Sequence, residues 1–120
     1  MASNLMRTCF RQSMQRISFP TMIITTSSYS DTPPVDFHGL TVSSMTSLSV
    51  SPAPLLQFNV QTPSLSSKNL HKHDLFAVHQ LKPQPISVDL IKRFSKGISR
   101  GGTNPFVGLE ETVDFDIYKN

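Results

Sequence analysis

A chain of 120 residues has room for one domain and one hydrophobic core, not two. With 38% hydrophobic and only 16% charged residues, and nine prolines, it is not a coiled coil, a collagen or a charge-rich disordered chain. The net charge of +3 suits an anionic ligand but is weak evidence for nucleic acid, and no apolar run nears the roughly 18 residues of a membrane span.

Residues 5–17 space Leu5, Met6, Cys9, Phe10, Met14 and Ile17 three and four apart. This predicts an amphipathic helix with its arginines and glutamines outside, Ser3 or Asn4 as its cap and Pro20 as its end. Cys9, the one cysteine, falls on the stripe as a packing residue; it can form no internal disulfide and fits a reducing compartment. No acid precedes Asp31, whereas Arg7, Arg11 and Arg16 do. Such a start also fits a mitochondrial presequence, so the localisation reads as cytoplasmic with a mitochondrial alternative.

The β-branched run Thr21–Thr26 predicts a strand, and residues 27–37 a polar, mobile loop with two prolines. Residues 38–51 alternate Leu40, Val42, Leu48 and Val50 with small hydroxyl residues and read as one extended segment, closed by Pro52 and Pro54. Leu55–Val60 reads as the next strand. Pro63 opens a short helix that runs on to His73. Leu75–Leu81 is a third, buried-looking strand, and residues 86–96 form a second amphipathic helix with Ile86, Leu90, Ile91 and Phe94 on one face. The segment from Phe106 to Asn120 has no clear period, and residues 109–120 form an irregular acidic tail. Strands joined by hydroxyl-rich turns, with helices around them, predict a mainly β fold: a barrel with peripheral helices.

Chemistry concentrates in Thr41–Ser49, where six of nine residues carry hydroxyls among strand-spaced apolar ones. Such a row is either the outer face of a strand or a groove for a polar ring edge, a sugar chain or a phosphate. Ser64 and Ser66 stand at the start of the short helix, as ordinary caps or as an anion site assisted by Lys68. His38 precedes Gly39 at the entry to the hydroxyl-rich stretch, as a turn residue or a ligand contact. His71 and His73 read as solvent-exposed, and two histidines two apart without cysteines make a poor metal site. No G-x-S-x-G elbow, Walker loop or G-x-G-x-x-G is present, and no carboxylate pair is convincing. Any catalysis would therefore be carried by a cofactor.

The blocks Phe10–Met14, Pro20–Thr26, His38–Ser49 with Pro52 and Pro54, Leu56–Val60, Pro63-Ser64, Leu75–His79 and Arg93-Phe94 resemble, in order and spacing, the flavin reductase-like, FMN-binding split-barrel family. The resemblance covers about residues 5–108 of a single domain and has the flavour of fungal members. It implies a split β-barrel with FMN, or FAD, lying across it, usually at a homodimer interface. Thr41, Val42, Ser43, Ser44, Met45 and Ser47 would line the isoalloxazine and ribityl chain, Asn59 would lie near the ring, and Ser64 and Ser66 would meet the phosphate. It implies NAD(P)H as electron donor and, often, a partner monooxygenase that uses the reduced flavin; the residues themselves point to no metal, nucleic acid or membrane. Family domains usually run to about 150 residues, so the barrel here is expected to be incomplete. The alternatives are a non-catalytic flavin-binding or interaction module and a truncated, non-functional remnant.

Overall fold

The computed structural model describes residues 3–27, 37–96 and 104–109. In chain order the elements are α1 (Asn4–Gln15), β1 (Met22–Ser27), β2 (Phe37–Val42), β3 (Thr46–Ser49), β4 (Leu55–Gln57), α2 (Leu65–His73), β5 (Ala77–Gln80) and α3 (Pro85–Ser95). The loop expected over 27–37 keeps only its ends, Ser27 closing β1 and Phe37 opening β2; residues 28–36 lie outside the described residues, as do Gly97–Thr103 and most of the acidic tail.

The β-branched β1 becomes the central strand of an antiparallel sheet ordered β2-β1-β5. Its Ile24 sits opposite both Leu40 and Val78 and is 0% exposed. Adjacent residues of a strand face opposite sides, and Ile23 is buried as well, so the sheet is covered on both faces at its centre. Helices α2 and α3 both pack on β1 and β2. The core is these isoleucines with Val42 and Phe94.

Helix α3 starts with Pro85 in its first turn, where the missing N–H costs nothing. Its inward residues are Ser87, Leu90, Ile91 and Phe94; Ile86, expected on that face, is exposed. The Phe94 ring lies directly on the backbone of β2. A Cβ at Gly39 would sit 2.6 Å from Phe94 Cδ1 and 3.3 Å from the Ile24 carbonyl oxygen, so only glycine admits the ring. Thr41 Oγ1 donates to the Ile91 carbonyl at 2.9 Å and ties the same strand to the same helix. The turn 104–109 closes over this corner. Arg93 donates to the carbonyls of Pro105 and Val107 (3.2 and 3.0 Å), and Phe106 packs on Phe37 and edge-on against Phe94, each with ring centroids 5.3 Å apart.

The segment read as one extended stretch over 38–51 is two strands. The chain bends at Ser43, and β3 pairs instead with β4 in a separate two-stranded antiparallel ribbon, with an irregularity between Ser47 and Ser49. No closed barrel forms among the described residues; helix accounts for 35% of them and strand for 25%, which departs from the mainly β expectation. The excess of helix is α1, α2 and α3 set against strands of only three to six residues.

Three further expectations are corrected. Helix α1 is capped by Ser3, whose Oγ accepts from the Met6 amide at 3.2 Å, but it has no buried residue, so Cys9 is exposed rather than packed. The strand at 75–81 shrinks to β5, which pairs among the described residues with β1 alone, and Leu75 and Phe76 before it are exposed. Pro63 precedes the α2 cap, Ser64, rather than opening the helix. No helix among the described residues is long and apolar enough to cross a membrane.

Candidate functional site

A cavity of about 410 Å³ opens where β2, the segment after β4, the start of α2 and the end of α3 meet. That is within the 300–1,000 Å³ typical of small-molecule sites. Of the residues singled out by sequence, Thr41, Val42, Ser43, Ser44, Asn59, Ser64 and Ser66 line it. Met45 and Ser47 do not: the bend at Ser43 ends β2, and Ser47 pairs with Leu56 in the ribbon.

The lining hydroxyls of Thr41, Ser44, Ser64 and Ser66 each have a partner. Ser44 Oγ accepts from the Asn59 amide at 2.9 Å, joining the end of β2 to the chain beyond β4. Thr41 turns its hydroxyl to the Ile91 carbonyl, so it builds the wall and spends its donor there. Ser64 caps α2 by accepting from the Ser67 amide at 3.0 Å. The amides of Leu65 and Ser66, in the first turn, have no acceptor within the helix, and the positive end of the helix dipole faces this wall. Ser66 Oγ lies 3.1 Å from Nε2 of His38. Apolar surface comes from Leu40, Val42, Val60 and Phe94. The arrangement suits a small ligand of mixed polar and apolar surface with a polar or anionic end.

Sequence reasoning missed several lining residues. His38 is no turn residue: it sits in β2, 8% exposed, on the cavity wall. Lys96, not Lys68, is the cation on the lining. Gly39, Phe94 and Pro105 also contribute. The apolar stripe of α3 signalled that Phe94 is inside, but nothing in the sequence places the end of α3 beside β2. Of the other histidines, His73 is buried rather than exposed, while His71 is exposed. His79 Nε2 is 2.7 Å from Thr25 Oγ1, diagonally across the β1–β5 pair. Desolvation of its ring holds the His79 imidazole below its ordinary value. No three His, Cys, Asp or Glu side chains converge among the described residues.

Short strands, a helix start and a hydroxyl-lined cavity that also carries the His38–Ser66 pair form a site sized for a small ligand with a polar end. The family model for the flavin reductase like domain matches residues 14–114. This chain therefore belongs to the flavin reductase-like family, and its function is flavin-related. No curated protein matches it.

Proposed function

We propose that the chain binds FMN in this cavity and serves NAD(P)H-dependent reduction of the flavin. The observation that carries the proposal is the convergence of seven hydroxyl-rich or strand-end residues, from three separate stretches, on one cavity that also holds a helix start. The backbone and side chains of Thr41–Ser44 flank the ring and ribityl chain. Asn59 approaches the ring by its backbone, held by Ser44. Ser64, Ser66 and the first-turn amides of α2 receive the phosphate, with Lys96 adding positive charge on the lining. Met45 and Ser47 take no part. A bound flavin would supply the redox chemistry; the residues of the cavity would orient it, exclude water and neutralise its phosphate. FMN rather than FAD, a homodimeric split barrel, a partner monooxygenase and a cytoplasmic compartment complete the proposal.

Purified protein tests it directly. A yellow preparation, FMN binding by calorimetry, and NADH or NADPH oxidation that depends on added FMN are the expected results. Ser64→Asp is the informative variant. Aspartate caps a helix as well as serine does, so α2 stays intact while a negative charge meets the phosphate, and FMN affinity drops at least tenfold. Well-folded protein that gives no heat with FMN rejects the proposal; FMN binding without turnover leaves a flavin-binding module.

A further inference from the structure

His38 is an imidazole placed where an apolar side chain would bury without a desolvation cost. It lies in β2 opposite Thr26, is 92% buried by its 8% exposure, and points Nε2 at Ser66 Oγ, 3.1 Å away, on the wall of the cavity. Ser66 is the second residue of α2, in the turn whose amides face that wall. A serine hydroxyl donates one hydrogen and accepts through its oxygen. If its hydrogen goes to Nε2, it offers an anion only lone pairs. If Nε2 carries the proton and donates to Oγ, the hydroxyl hydrogen is left for an acceptor in the cavity. A phosphate oxygen is such an acceptor and selects the second arrangement. Thr41, three residues after His38 in the same strand and also on the cavity lining, is the contrast: its hydrogen is committed to the Ile91 carbonyl and is not offered to a ligand.

We infer that His38 is a positioning residue: its Nε2–H holds the Ser66 hydroxyl with the hydrogen directed at the ligand's phosphate, and so sets a preference for phosphorylated flavin over riboflavin. The inference rests on the reading that the flavin phosphate sits at the start of α2, and it adds a residue and a specificity to that site. No bond is made or broken, and His38 itself need not touch the ligand.

The test titrates FMN and riboflavin separately into wild type, His38→Phe, His38→Gln, Ser66→Ala and the His38→Phe/Ser66→Ala double variant, following flavin fluorescence. Phenylalanine fills the space without a donor; glutamine restores an N–H. A hydrogen bond to a charged group is worth about tenfold or more in affinity. His38→Phe is expected to lose about tenfold for FMN and less than twofold for riboflavin. Ser66→Ala should do the same, the double variant should be no worse than Ser66→Ala alone, and His38→Gln should recover most of the loss. Equal losses for both flavins in His38→Phe, or losses that multiply in the double variant, overturn the inference and reduce His38 to a packing residue, while the flavin site stands. Should His38→Phe melt below the assay temperature, Ser66→Ala decides: an unchanged FMN-to-riboflavin ratio there overturns the inference. Wild type that binds neither flavin rejects the site itself, a result distinct from all of these.

Discussion

The three-stranded sheet and the two-stranded ribbon draw on one hydroxyl-rich stretch, yet only the first is a folded core. In β2, His38, Gly39 and Val42 are buried; in β3 and β4 every residue but Ser49 is exposed, with Leu56 at 59%. Both segments alternate apolar and hydroxyl residues, so local pattern does not separate them. The difference is α3. Its Phe94 ring occupies the space above Gly39, and its Ile91 carbonyl takes the Thr41 hydroxyl. Among the described residues no helix packs on the ribbon in this way; its neighbourhood is joined to the rest through the Ser44–Asn59 hydrogen bond and the edge-on pair Phe58–Phe76, with ring centroids 5.5 Å apart. Burial in this molecule is thus set by what crosses a strand, and the cavity forms along the line where the covered region meets the uncovered one.

The contrast breaks first if α3 loses its grip. Phe94→Ala removes a ring that fills the corner between Gly39 and Phe106, and it should cost about 3–5 kcal/mol, read as a lower urea midpoint. Next is Gly39→Ala. The added Cβ overlaps the Phe94 ring and presses on the Ile24 carbonyl, so a loss of about 1–3 kcal/mol is expected from overpacking. The two changes share one contact, so Gly39→Ala should cost less in the Phe94→Ala background than alone. Additive costs would mean that the ring does not rest on the glycine. Thr41→Val follows, at about 1 kcal/mol for the hydrogen bond to Ile91. Flavin affinity should change less than threefold, because that hydroxyl faces the helix.

A smaller effect concerns the other edge of the sheet. Desolvation lowers the His79 imidazole, so below its ordinary value of about 6.5 the unfolded chain binds more protons there than the folded one. This contribution is intact above that pH and declines as pH falls through it towards the folded-state value. Urea midpoints at pH 7.5 and 5.5 should therefore differ less in His79→Gln than in wild type. An identical pH response in the two proteins would remove His79 from the account.

Much of this was legible in residues and little in their assembly. The periodicity of α1, the β-branched run of β1, the Ser64 cap and the stripe of α3 each identified an element to within a few residues, because these signals are local. The hydroxyl-rich block pointed to the cavity wall for the same reason. What escaped was non-local. The bend at Ser43 sends Ser47 away from the site, the end of α3 brings Lys96 to it, and burial converts His38 from an expected turn residue into part of the wall. The α1 stripe shows the reverse error. Apolar spacing records which face can be buried, not whether anything buries it, and Leu5 and Phe10 remain 74% and 68% exposed.

The ribbon offers the finest discrimination. Leu56→Gln changes a side chain that is mostly in water, so it should alter stability by less than about 0.5 kcal/mol. A two-stranded hairpin is marginal by itself, so the amides of β3 and β4 should exchange with solvent orders of magnitude faster than those of β1, which is paired on both sides. If Leu56→Gln instead costs more than 1 kcal/mol, or the ribbon amides are protected like those of β1, the ribbon is covered in solution. Repeating both measurements over a hundredfold range of protein concentration then names the cover. Protection that grows with concentration comes from a second copy of the chain, and protection independent of it from the same chain.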